Sequence, residues 1–166
     1  MVASRTQVIL RPYVRPIVRW LLYFRYETHF VQGNAGELRL GKRVATANTL
    51  FNLSSGSILV DDYTIFGNNV MCLTGRHQFI GGRRAGLSHV EAGKSWGGGS
   101  AEVPSDGYDI HIGKGCWIAS GSIILGGLKI GNHSIVAAGA VVSRTIPDHS
   151  IVAGIPARLI GDTRDL

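Results

Sequence analysis

IHIGKGCWIASGSIILGGLKIGNHSIVAAGAVVSRTI, residues 110–146, decides the fold. Every sixth residue from 112 is aliphatic and β-branched: Ile112, Ile118, Ile124, Ile130, Val136 and Val142. The residue after each is mostly small (Gly113, Ala119, Gly131, Ala137, Ser143). The fourth after is often small or aliphatic (Cys116, Ser122, Leu128, Ser134, Ala140, Ile146). Six is an even number, so residues six apart face the same side of an extended chain, and the small neighbour leaves room for a turn. Such a chain coils on itself, and stacked coils bury one continuous column of Ile and Val.

Upstream the same phase is weaker, at Val60, Phe66 and Cys72, with Gly67 after the second and Leu40-Gly41 as an earlier start. Between His77 and Ile110 the beat is lost. GGRRAGLSHVEAGKSWGGGSAEVPSDGYD (81–109) reads there as a long loop, and long insertions in compact domains are usually functional or disordered. Near the start, LRPYVRPIVRWLLYFRYETHF (10–30) sets Arg11, Arg15 and Arg19 at helical spacing beside Val14, Ile17, Val18, Leu21 and Leu22. Pro12 and Pro16 confine a regular helix to Ile17 onward. Two readings stay open for it. One is a basic amphipathic anchor on an anionic membrane, through residues 8–26 with Trp20 and Tyr23 at the interface; the other is a helix packed on the rest of the molecule or on a neighbouring subunit.

The 166 residues are 45% hydrophobic and 17% charged, which suits one domain with a real core. With 23 glycines against 5 prolines, tight turns dominate. A formal charge of +6 suits nucleic acid, an anionic membrane or a phosphorylated cofactor, and no nucleic-acid-binding motif accompanies it. Cys72 and Cys116 lack Cys-x-x-Cys spacing and read as small buried fillers. Arginines break the early hydrophobic run, leaving neither a signal-peptide core nor a membrane span, so the expected location is cytoplasmic, extending to the inner membrane face. The expected organisation is an N-terminal segment 1–33, a coiled domain 34–160 with an inserted loop 78–109, and a tail 161–166.

From about Asn48 to Ile160 the chain resembles the hexapeptide-repeat acyltransferases, and within them the galactoside, maltose and nodulation-type sugar O-acetyltransferases. Residues 110–160 are similar to the family's ending "I-x-I-G-x-x-V-W-I-G … I-G-A-G-S-V-V-T-K-D-I-P … V-A-G-x-P-A-K". FNLSSGSILVDDYTIFGNNV (51–70) and LTGRHQF (73–79) resemble its "F-N … D-D … I-G-D-N-V" and "T-x-G-H" segments. The resemblance implies an all-β, left-handed parallel β-helix, a homotrimer, acetyl-CoA or another acyl-CoA as co-substrate, and a saccharide or glycolipid acceptor, with no metal. Departures are Gly126 where the family has proline, Gln78 after the histidine, a longer following loop, and Gly161 in place of a second C-terminal arginine, whose phosphate contact would fall to Arg164 or a neighbouring subunit.

Acyl transfer from a thioester to a hydroxyl needs a base to take the proton as oxygen attacks, and histidine titrates in the right range. The resemblance assigns that role to His77, for direct transfer within a ternary complex. His29, His89, His111, His133 and His149 lack the match. Asn52 takes the place of an acceptor-binding asparagine, its amide able to donate and accept hydrogen bonds, or else it bonds along the coil. Asp61 and Asp62 read as turn residues. For CoA the resemblance carries over Trp117, Ser120, Ala138 and Ser143 to a groove, and Arg144 and Arg158 to the phosphate end, where guanidinium donors suit phosphate. Competing readings are an amino-sugar N-acetyltransferase, a non-catalytic trimeric scaffold, and a γ-class carbonic anhydrase. The last needs three histidines converging on a metal, and the spacing here shows no such set.

Overall fold

The computed structural model describes residues 29–84 and 103–166, together with Ile17. The basic N-terminal segment with its expected helix and membrane contact, and residues 85–102 of the insertion, lie outside the described residues.

The chain winds in successive coils of short strands. The first coil holds β1 (Phe30–Gln32) and β2 (Leu38–Leu40); the second holds β3 (Leu50–Asn52), β4 (Ile58–Val60) and β5 (Ile65–Phe66). The third starts with β6 (Met71–Leu73), is interrupted by a hairpin of β7 (Phe79–Ile80) and β8 (Arg83–Arg84), and resumes with β9 (Ile110–Ile112) and β10 (Trp117–Ile118). The fourth holds β11 (Ile123–Leu125), β12 (Leu128–Ile130) and β13 (Ile135–Val136); the fifth holds β14 (Val141–Val142) and β15 (Ser150–Ala153). β16 (Arg158–Asp162) folds back antiparallel on β15, and a 3-10 turn at Thr163–Asp165 follows. Among the described residues strand pairing is present from Phe30, and residues 158–162 are paired into the third sheet.

Like strands stack into three sheets: a first of β1-β3-β6-β11-β14, a second of β2-β4-β9-β12, and a third of β5-β10-β13-β15 closed by β16. All pairings within them are parallel except β15 with β16. The architecture is a parallel β-helix with three faces. Its core is the column the sequence announces, since Ile112, Ile118, Ile124, Ile130, Val136 and Val142 are all 0–1% exposed. Phe51, Cys72, Ile124 and Val142 stack on the first sheet, Val60, Ile112 and Ile130 on the second, and Phe66, Ile118, Val136 and Val152 on the third. Each large side chain buried this way stabilises the fold by about 1.5–3 kcal/mol. The secondary set is buried too, and its hydroxyls are satisfied: Ser122 Oγ donates to the Ala119 carbonyl at 2.8 Å and Ser134 Oγ to that of Pro147 at 3.1 Å.

The three corners differ in length. From the second sheet to the third, Leu38 to Ala45, Ile58 to Ile65, Ile110 to Trp117 and Leu128 to Ile135 are each seven residues. From the third back to the first, Ile65 to Met71, Trp117 to Ile123 and Ile135 to Val141 are each six. From the first to the second, Leu50 to Ile58 is eight, Met71 to Ile110 is thirty-nine and Ile123 to Leu128 is five. Almost all the variation in coil length falls on this first corner.

The constant second corner is clamped. Side-chain oxygens of Asp62, Asn132 and Asp148 accept from the backbone N–H of Lys42, Lys114 and Asn132 on the preceding coil at 2.6, 2.9 and 2.8 Å. Glycine is required under each clamp; a Cβ on Gly131 would lie 2.2 Å from the Asp148 nitrogen. Asp62 is thus the turn residue its type suggests, whereas Asp61 pairs with His111, Oδ2 to Nε2 at 2.8 Å.

The insertion departs from its expected form as an irregular loop. Its first residues pair as an antiparallel hairpin, Phe79 with Arg84 and Ile80 with Arg83. Gly81 and Gly82 both take positive φ (57° and 77°), the geometry a two-residue hairpin turn demands.

Candidate active site

Four of the eight candidate residues, Asn52, His77, Ser143 and Arg144, fall on the first corner, and Arg158 lies beside it. Asn52 ends β3 on the second coil. Its Oδ1 accepts from the Ser54 N–H at 3.0 Å, while its backbone carbonyl accepts from Thr74 Oγ1 at 2.8 Å. Gly75 sits directly over it: a Cβ there would stand 3.0 Å from Asn52 Oδ1. The chain then runs from Gly75 to His77, which is exposed at the exit from β6. The structure therefore brings Asn52 and the His77 segment together across neighbouring coils. Asn52 bonds within the corner through its oxygen and, among the described residues, keeps its amide N–H donors for another partner.

Three coils' heights along, the same corner opens into a cavity of about 230 Å³ lined by Val142, Ser143, Arg144, Thr145, Ile146, Pro147, Val152, Ala157, Arg158 and Leu159. Ser143, Arg144 and Arg158, proposed from resemblance alone, are thus neighbours in space. Both arginines are exposed, and Arg158 Nη1 donates to the Ala157 carbonyl at 3.0 Å. Cationic donors around a small concavity suit a phosphate-bearing ligand. Arg164, the expected substitute for the arginine missing at Gly161, is engaged elsewhere. Its Nε and Nη2 donate to the two oxygens of Asp162 at 2.9 and 2.5 Å, and that pairing holds the Asp162 carboxyl far below the usual carboxylate range.

The remaining candidates lie on other edges. Trp117 projects half-exposed from the third sheet, and Ser120 and Ala138 occupy the third corner, exposed on successive coils. Ser120 Oγ accepts from the Asn68 N–H at 3.0 Å, so it also fastens that corner. Within one chain the first sheet separates this group from Asn52 and His77.

Residues the sequence did not single out also surround the first corner. Tyr108, where the insertion returns, lies under the Arg76 guanidinium with 5.9 Å between Cζ and the ring centroid. The Asp61–His111 pair borders the second sheet, where Glu37, Arg39, Ser57, Leu59, Asp109 and His111 line a depression of about 350 Å³. Asp61 and His111 are fifty residues apart, so no local spacing announces them. The other described histidines are in structural contacts: His29 edge-on to Phe51, and His133 stacked on His149 at 5.4 Å. Among the described residues no three His, Cys, Asp or Glu side chains converge as a metal set would. Cys72 and Cys116 are buried free thiols, and burial pushes both up from the ordinary thiol range, away from nucleophilic use.

The model of the bacterial transferase hexapeptide (six repeats) matches residues 109–144. Galactoside O-acetyltransferase of Escherichia coli K12 is 34% identical over 116 residues, which is 69% of this chain and 50% of that one. Residues 109–144 are hexapeptide repeats of the kind that bacterial transferases carry. This hexapeptide-repeat chain spans half or less of the length of the curated relatives it matches. Among solved structures it resembles a galactoside acetyltransferase in complex with coenzyme A, with a TM-score of 0.55 at 21% identity over 98% of this chain and 74% of that one. It also resembles the N-acyltransferase AntD from Bacillus cereus in complex with dTDP and 3-hydroxybutyryl-CoA, with a TM-score of 0.58 at 16% identity over 82% and 77%. At these identities the likeness concerns the fold, which is the left-handed β-helix that the resemblance implied.

Proposed function

We propose that this chain transfers an acyl group, acetyl in the first instance, from acyl-CoA to a hydroxyl of a saccharide or glycolipid, with His77 as general base. The observation that carries this reading is the first corner itself, which holds Asn52 and His77 on neighbouring coils and Ser143, Arg144 and Arg158 around one cavity farther along. His77 takes the acceptor's proton as its oxygen attacks the thioester carbon. The carbon–sulfur bond then breaks, and CoA leaves as the thiol after the imidazolium returns the proton. Asn52 offers amide donors to the acceptor, and Arg144 and Arg158 hold the phosphates.

Trp117, Ser120 and Ala138 join the site in a trimer, where the third corner of one copy lies against the first corner of the next. The apolar outward face of the first sheet, with Met71 39% and Leu125 37% exposed, supports such packing.

The test is release of free thiol from acetyl-CoA with a panel of neutral sugars, glycolipids and amino sugars. His77→Ala should lower turnover by about 10²–10⁴-fold while acetyl-CoA binding and oligomeric state persist. Near-normal turnover in that variant removes His77 as the base. Amino sugars alone serving as acceptors would make this an N-acyltransferase. No acetyl-CoA binding by calorimetry would leave a scaffold.

A further inference from the structure

The two ends of the insertion are fastened to each other beside His77. Arg76, its immediate neighbour in the chain, lies over the Tyr108 ring. Tyr108 is itself held from three sides. Its N–H donates to the Ser55 carbonyl at 3.2 Å, and Asp109 next to it accepts from the Gly127 N–H at 3.0 Å. On the third side its carbonyl and Cβ fill the space above Gly126, where an added Cβ would stand 2.6 Å from Tyr108 O, 2.8 Å from Tyr108 Cβ and 3.0 Å from Thr74 Cα. Gly126 has no positive φ to require glycine. What it lacks is room, and the group that takes the room is Tyr108.

The departure from the family's proline at this position therefore has a physical counterpart: an absent side chain on the fourth coil makes room for the Tyr108 backbone and Cβ, and the ring carried on that Cβ receives a cation from the residue before His77. A cation over an aromatic face is attractive and directional, and it constrains the backbone on which the cation is carried. The exposed segment from Gly75 to Gln78 has no strand pairing of its own. The Arg76–Tyr108 contact adds a hold on that backbone, where a shift of about an ångström is enough to spoil a proton transfer.

We propose that Arg76, Tyr108 and Gly126 form a latch that positions His77. None of the three touches substrate; they act by fixing the backbone that presents the imidazole. The proposal rests on the assignment of His77 as base, and its test separates the two.

Tyr108→Leu removes the ring and should lower kcat by about 10–100-fold with the KM for acetyl-CoA unchanged. Tyr108→Phe and Tyr108→Trp keep an aromatic face and should stay within about twofold of the parent protein. Gly126→Ala crowds Tyr108 from behind and should reproduce the loss. Thermal unfolding of each variant reports whether the coil stays folded, and hydrogen exchange at the amides of residues 75–78 reads the latch without any reaction. Faster exchange there in Tyr108→Leu, and parent-like exchange in Tyr108→Phe, is the expected result. The latch is overturned if exchange at 75–78 is unchanged in Tyr108→Leu, or if kcat is unchanged in that variant while His77→Ala is inactive. Equal losses in Tyr108→Phe and Tyr108→Leu would overturn it too, by shifting the role to the hydroxyl. If His77→Ala stays active, the base assignment fails, and the exchange result still decides the latch.

Discussion

Between the second and third sheets every measured coil turns in seven residues, whereas between the first and second the count runs from five to thirty-nine. The two corners belong to the same prism and face the same core, so the difference lies in how each is made. At the second corner of the clamped coils a glycine lets the next coil approach, an Asp or Asn side chain bonds down to the backbone beneath, and a residue follows in the left-handed region: Tyr63, His133 and His149, with φ of 63°, 54° and 61°. The clamp fixes the register. Because side chains alternate inward and outward along each strand, one fixed corner per coil is enough to keep every inward residue inward. The first corner has a grip of its own at its end, beside the second sheet, where Ser57 Oγ accepts from the Glu37 N–H at 3.1 Å and Asp109 Oδ1 from the Ser57 N–H at 2.6 Å; the stretch before that grip is free to vary in length. Extra residues there project from the prism without disturbing the core column, and it is there that Asn52, His77, Arg144 and the insertion are found.

The sharpest way to test this division is to remove the insertion. Replacing residues 79–105 with a short Gly-Ser linker should leave the coil folded, since loop length itself changes stability only by about 0.6 kcal/mol per doubling. Acceptor-dependent turnover should fall by more than about 100-fold as the acceptor's surroundings are lost, while acetyl-CoA binding at the far end of the corner is retained. Circular dichroism, calorimetry and the thiol assay read the three quantities. A collapsed fold would show that the first corner carries register after all.

The next contrast sets one glycine against another. Gly131→Ala drives a Cβ against the Asp148 and Pro147 backbone, at 2.2 and 2.4 Å, and backbone cannot rotate away as a side chain can. The expected loss is about 3 kcal/mol. Gly82→Ala has nothing within 4 Å of its added Cβ and suffers only from its positive φ, worth about 1 kcal/mol and confined to the hairpin. Chemical denaturation of the two variants should show a large shift of midpoint for the first and little change in global unfolding for the second. Equal shifts would break the distinction between a clamped and a released corner.

The same distinction explains what could be read from the chain beforehand. Residues 112–142 show the hexad because there the corners are short and the beat survives; upstream, the eight-residue first corner from Leu50 to Ile58 sets Phe51 out of step with Val60, Phe66 and Cys72, and the thirty-nine-residue corner breaks the beat before Ile112. Candidates could be named where family motifs occur, at Asn52, His77, Ser143, Arg144 and Arg158, and the fold sets the first four on the first corner with Arg158 beside the cavity at its end. The missing part is of two kinds. Phe79-Ile80-Gly81-Gly82-Arg83-Arg84 held a local signal, a Gly-Gly pair between short extended pieces, that the glycine-rich surroundings obscured. Tyr108 over Gly126 and Asp61 against His111 held none, because coil stacking joins residues eighteen and fifty apart and only the stacked structure makes them neighbours.

The clamps themselves differ in one testable respect: Asn132 has no charge to lose, and Asp148 does. The backbone N–H of Asn132, and after it the Asn132 side-chain amide, hold the Asp148 carboxyl below its ordinary value of 3.8. A carboxyl depressed in the folded state adds stability above its unfolded pKa, and that stability is lost as pH falls through the folded value. The second corner should therefore weaken in acid at its last turn, where Asp148 closes the clamp on Gly131, before it weakens at Asn132. Asp148→Asn keeps an acceptor for the Asn132 N–H and removes the titration, so its stability should fall less steeply than the parent's below about pH 4. Part of the slope should remain, because Asp162 and Glu37 are depressed in the same direction by Arg164 and Arg39. Asp148 and Glu37 are exposed and Asp162 is only half-buried, so the change is small and best resolved as the difference in denaturation midpoint between the two proteins measured from about pH 6 down to about pH 2. Parallel curves across that range would mean that the Asp148 clamp is held by geometry alone, its charge contributing nothing to the register it keeps.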